Sequence, residues 1–209
     1  MSLRVGIFMF DQVEVLDFAG PYEVFTTASR VQQQLQPGTD VPFEVVLISA
    51  DGGPVRARAG LTVQVDHSFE DHPPLDLLLV PGGVVEAELQ KPDVIAWLLG
   101  TADAATLTAS VCTGAFLLAT AGLLDGRTAT THWQDINDLA YRFPLLSIRA
   151  GCRWVDEGDV VTSGGISAGI DMSLYLVARF QSRLLALRTA RQMEFDWTGP
   201  DAGQAITPR

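Results

Sequence analysis

The stretch Leu107-Thr108-Ala109-Ser110-Val111-Cys112-Thr113-Gly114-Ala115-Phe116-Leu117-Leu118 decides how this chain folds. Leu107–Val111 reads as a buried strand. From Thr113 to Leu124 the pattern turns helical. A strand that passes straight into a helix puts Cys112 on the elbow, at the end of the sheet where ligands of open α/β folds lie. The same alternation runs outward from there. Val5–Phe10, Phe43–Ser49 and Asp76–Val80 read as strands, with more in Arg127–Thr130 and Trp154–Thr162. Val55–Val65 holds one or two short strands beside the main sheet. Gly20-Pro21 opens a helical segment over Tyr22–Leu35, and further helices are expected at Val94–Leu99, Ser167–Phe180 and Leu184–Phe195. The pattern predicts an α/β, doubly wound three-layer sandwich with a mostly parallel sheet. One domain is expected over residues 1–198, followed by a loose tail at 199–209.

Composition narrows the function classes. With 209 residues, 47% of them hydrophobic, the chain is long enough for one sizeable core and too apolar for disorder. A net charge of −11 leaves no general means of neutralising phosphates, so nucleic-acid binding is not expected. Lys91 is the one lysine, and its loop-like setting gives Schiff-base chemistry almost no candidate. Two cysteines, Cys112 and Cys152, make no disulfide framework, and the N-terminus lacks a signal-peptide pattern, so a reduced, cytoplasmic setting is expected. Ala104–Leu124 carries no charge and is long enough to span a bilayer. Its threonines, serine and glycines favour a buried strand, a sharp turn and a buried helix, and no membrane partner is expected.

Cys112 is the sharpest chemical feature. The helix after it offers free N–H groups and a positive dipole end, which favour a thiolate and hold charge developing on a substrate. The alternative is a buried structural thiol. Asp17, in Glu14-Val15-Leu16-Asp17-Phe18-Ala19-Gly20-Pro21, is either a helix N-cap or a carboxyl sharing a cleft and a proton with Cys112. Gly82 and Gly83, in Pro81-Gly82-Gly83, either make a tight turn or bring bare N–H groups to that cleft; no phosphate-loop pattern follows them. His132 lines the cleft or packs on Trp133. His67 and His72 match no strong metal spacing, Cys152 reads as structural, and no serine elbow is present.

Five segments in order resemble the ThiJ/PfpI superfamily: Leu16–Phe25, Val80–Gly83, Ser110-Val111-Cys112-Thr113-Gly114-Ala115, Ala129-Thr130-Thr131-His132-Trp133 and Thr162–Asp171. The resemblance as a whole runs from about Leu3 to Glu194, most of the chain. The resemblance implies a flavodoxin-like sandwich with a nucleophilic cysteine on the elbow. Within the superfamily the pattern is most similar to the isonitrile hydratase branch. Peptidase-like and glyoxalase-like branches usually carry His after the cysteine and Glu in the first loop, where this chain has Thr113 and Asp17.

That branch implies hydration of a small isonitrile to an N-substituted formamide, with Cys112 as nucleophile and Asp17 as general acid and base. Thr113 would orient one of them, and N–H groups near Gly83 and Thr113 would hold charge on the adduct. Gly164 to Ile166 would form a pocket wall. No metal or organic cofactor is implied, and a homodimer is. Similar segments occur in the N-terminal domain of AraC-type transcription regulators, and this chain stops about where their helix-turn-helix region begins. A stand-alone binding or redox-sensing domain therefore remains open, as does glyoxalase or deglycase chemistry with His132 as base.

Overall fold

Strands buried along their whole length need cover on both sides, and the sheet is built around two of them. In a computed structural model, which describes residues 2–197 and 199, β1 (Leu3–Phe8) leads into α1 (Val15–Leu35) and β2 (Phe43–Ile48). A small antiparallel pair follows, β3 (Val55–Arg56) and β4 (Thr62–Val63), before the central strand β5 (Leu77–Val80). Helices α2 (Glu86–Leu89) and α3 (Pro92–Ala104) precede β6 (Leu107–Val111) and α4 (Gly114–Thr120). Then come β7 (Thr128–Ala129), α5 (Ile136–Arg142), β8 (Ser147–Ile148), β9 (Trp154–Asp156) and β10 (Val160–Ser163). The helices α6 (Ser167–Phe180) and α7 (Arg183–Gln192) complete the order.

The main sheet runs β2-β1-β5-β6-β10-β9, parallel except for β9. Every residue of β5 and β6 is buried, and each leucine among them contributes about 2 kcal/mol by leaving water. Helices α1, α6 and α7 pack together as one group and α2, α3 and α4 as another, which gives the flavodoxin-like α/β/α sandwich. Register sets the site. Val80 pairs with Ser110 and Ser163 with Val111, so the carboxyl ends of β5, β6 and β10 finish level. The chain leaves that edge at Pro81–Gly83, Cys112 and Gly164–Ile166.

The uncharged stretch over Ala104–Leu124 divides into β6 and α4, and no described helix is long and apolar enough to cross a membrane. Several boundaries differ from the sequence pattern. Helix α1 starts at Val15 and runs through Gly20-Pro21 instead of opening after them. Pro21 lacks an N–H and so withdraws one intrahelical bond, but its neighbours Phe18, Val24 and Phe25 are buried and hold the helix. Helix α3 extends past Leu99 to Ala104, while α4 stops at Thr120 and turns follow. Arg127–Thr130 joins no main-sheet strand; its core, β7, pairs with β8 in a separate parallel ribbon. Trp154–Thr162 is the antiparallel pair β9 and β10. Apart from Gly199, the tail expected at 199–209 lies outside the described residues.

Candidate active site

Cys112 occupies the single residue between β6 and the first turn leading into α4, and its φ is +56°. Such a conformation costs a non-glycine residue about 1–3 kcal/mol, so the surroundings must enforce it. Its N–H is shared between the carbonyls of Ser163 (3.2 Å) and Gly164 (3.3 Å), and its own carbonyl accepts the Thr131 hydroxyl (2.8 Å). The end of β10 and the segment after β7 thus clamp the elbow from two sides.

Asp17 lies inside α1 rather than in the loop ahead of it, and it caps nothing; the cap position is Glu14. Its side chain is buried, and each carboxylate oxygen takes one backbone donor: the Gly82 N–H on Oδ2 (3.1 Å) and the Ile166 N–H on Oδ1 (3.2 Å). Gly82 has to be glycine, because a Cβ there would stand 2.6 Å from the Thr113 nitrogen and 2.9 Å from Asp17 Oδ2. Asp17 also hydrogen-bonds the Cys112 sulfur, so the two sequence-expected residues meet.

Burial pushes the Asp17 carboxyl up to about 7, the Gly82 N–H pulls it back, and the negative charge of Glu14 adds to the rise. Burial and then the charge on Asp17 likewise push the Cys112 thiol well above its ordinary range, against one lowering contact from the Thr113 N–H. The expected thiolate is therefore not favoured by the helix start. Desolvation and a neighbouring carboxylate outweigh the dipole of a seven-residue helix. The sulfur instead keeps its proton, and Asp17 is the member of the pair that titrates near neutrality.

Two expected roles change. The Thr113 hydroxyl donates to the Gly83 carbonyl (2.9 Å) and accepts the Gly83 N–H (2.9 Å). It clips the β5 loop in place and does not orient Asp17, and the Gly83 N–H is already used and does not face the sulfur as a bare donor. The Thr113 N–H does face the sulfur.

The space over Cys112 is a cavity of about 330 Å³ whose rim includes Glu14, Arg58, Glu86 and Asp135. None of these four stood out in the sequence. Arg58 pairs with Glu14 (3.0 Å), and Asp135 holds His132 Nδ1 (3.3 Å) and bears on the thiol electrostatically. Glu14 lay in a segment already recognised; Arg58 lies in a turn-rich stretch with no distinguishing pattern. His132 and Ile166 line this cavity and also a second one, of about 550 Å³, where Gly164 and Gly165 are found. His72 accepts the Trp97 indole N–H (3.0 Å) and its Nδ1 faces the Pro73 carbonyl, so it works as packing. Among the described residues no three His, Cys, Asp or Glu side chains converge as a metal site requires.

The site belongs to a recognisable lineage. The DJ-1/PfpI family model matches residues 3–179. An isonitrile hydratase of Pseudomonas putida is 35% identical over 208 residues, covering 96% of this chain and 85% of that protein. The transcriptional regulator CdhR of Pseudomonas aeruginosa is 33% identical over 192 residues, 92% of this chain but 55% of the regulator. A ThiJ/PfpI family protein of Pseudomonas syringae, known from a crystal structure, superposes with a TM-score of 0.82 at 25% identity, over 96% of this chain and 78% of that one. A cysteine elbow facing a buried acid, on a sheet matched from end to end by these relatives, leads to one conclusion: this chain belongs to the DJ-1/PfpI family.

Proposed function

We propose that this protein hydrates isonitriles, R–N≡C, to N-substituted formamides. One observation carries the reading: the Cys112 thiol and the Asp17 carboxyl meet in a buried contact, with the carboxyl at about 7. An isonitrile carbon must gain a nucleophile and a proton on the same atom, and this pair holds both.

The sulfur of Cys112 attacks the terminal carbon while its proton passes through Asp17 to that carbon, giving the thioimidate R–N=CH–S on Cys112. No atom is left over: the thiol has added across one carbon. Asp17, again ionised, takes a proton from water as the water oxygen adds to the same carbon, and passes that proton to the nitrogen. Collapse of R–NH–CH(OH)–S then expels the sulfur, which receives the hydroxyl proton by way of Asp17, and releases R–NH–CHO. The Gly82 and Ile166 N–H groups hold the carboxylate in place through both transfers. The Thr113 N–H faces the sulfur when it leaves.

The 35% identity to a hydratase supports this reading. A second reading, a binding or redox-sensing domain, is favoured by the regulator relative. We also propose a homodimer, on the exposed Leu16, Tyr22 and Ile166. Formamide production from cyclohexyl isocyanide decides between hydratase and sensor. Turnover by wild type that vanishes in Cys112→Ala upholds the hydratase, whereas no turnover with selective oxidation of Cys112 moves the protein to the sensing class.

A further inference from the structure

Two cavities meet at His132 and Ile166, and they differ in kind. The one over Cys112 is rimmed by Glu14, Arg58, Glu86 and Asp135, all charged. An apolar group pressed against them would strip water from charges and return nothing. The larger cavity, about 550 Å³, is walled by Ile136, Ala150, Cys152 and Ala168 and by the Gly164-Gly165 backbone. Its charged side chain, Arg153, is turned to Asp171 in an ion pair. The Thr131 hydroxyl is likewise committed, to the Cys112 carbonyl. An apolar cavity of roughly 150 Å³ already accepts benzene, so this one has room for a six-membered ring.

His132 and Ile166 line both cavities. A Cβ on Gly165 would stand 2.2 Å from His132 Cδ2, so the ring lies against bare backbone there and Asp135 steadies its other side. With the isonitrile carbon at the sulfur, an apolar substituent left in the Cys112 cavity meets the charged rim, and the way to the apolar wall of the second cavity runs past His132 and Ile166.

We propose that the cavity behind His132 holds the apolar substituent of the isonitrile, with Cys152 and Ala168 setting the largest group admitted. This rests on the hydratase reading. It gives Cys152, which the sequence offered only as a structural thiol, a role in selecting substrate, and it makes the enzyme selective for neutral, ring-sized substituents over charged ones.

The test compares methyl isocyanide with cyclohexyl isocyanide in wild type, Ala168→Leu and Cys152→Met. The ratio of kcat/KM, cyclohexyl over methyl, is expected to fall about tenfold or more in each variant. An unchanged ratio overturns the proposal while leaving the hydratase intact; no turnover of either compound by wild type brings down both. Should either variant fail to fold, titration of isotope-labelled wild type with the product N-cyclohexylformamide replaces it. Amide shifts at Ala150–Cys152 and Ala168 are expected. Shifts confined to Glu14 and Glu86, or none, overturn it.

Discussion

Two junctions in this protein break the same backbone rule for opposite ends. At Cys112, between β6 and α4, and at Ile166, between β10 and α6, a residue with a side chain adopts a positive φ, +56° and +55°. Both sit at the level carboxyl edge of the sheet. At Cys112 the backbone is bonded on both sides and the strain delivers a side chain to the cleft. At Ile166 the side chain is 39% exposed, and the strain delivers a backbone N–H to Asp17. One junction presents the Cys112 sulfur, the other a clamp for the carboxyl beside it. Strain of this kind is informative only with its beneficiary named.

The contrast breaks first at the nucleophile. Cys112→Ala should lower formamide production about 10⁴-fold or more, since the covalent route is lost, with the fold unchanged by circular dichroism. Asp17→Asn comes next: a loss of about 10²–10³-fold in kcat, with Cys112 still alkylated by iodoacetamide, because proton transfer and not the sulfur has been removed. A variant as active as wild type would take Asp17 out of the mechanism.

Much of this site could be read from the chain. Leu107–Val111 followed by helical spacing placed Cys112 on its elbow because a short strand-like run and a 3.6 period are local signals. Asp17 was found without its setting. Gly20-Pro21 looks like a helix start, and only tertiary burial of Phe18, Val24 and Phe25 carries α1 through it. The β7–α5–β8 excursion left no clear period, with Trp133, Tyr141 and Leu145 all exposed. Arg58 and Asp135 reach the site through loops, where no spacing rule reports a meeting.

Smaller effects sharpen the comparison. Gly82→Ala should cost about 1–3 kcal/mol in denaturant unfolding, since its Cβ must displace the Thr113 backbone or the Asp17 carboxylate. Burial holds the Asp17 carboxyl at about 7 in the folded state, against the ordinary aspartate value of 3.8 when unfolded, so the folded state binds the extra proton between those values. Stability should accordingly fall as pH rises from 4 to 7 and level off above, by up to about 4 kcal/mol, and Asp17→Asn should flatten that slope. Denaturant midpoints at pH 5 and 8 read it directly; parallel slopes in the two proteins would refute the titration. Least of all, Ile166→Gly should relieve backbone strain, changing stability by about 1 kcal/mol, while loosening the N–H on Asp17 and reducing kcat a few-fold.

The carboxylate of Asp17 joins positions far apart in the chain: Gly82 is 65 residues away and Ile166 is 149. Such contacts form late, because loop closure over those spans precedes any reward from them. The reactive pair is therefore a product of completed folding. A nascent or partly refolded chain carries Cys112 without its acid, and recovery of turnover after dilution from denaturant should trail the return of helical signal. In a cell, the proposed chemistry is open to the protein only once its last strand is seated.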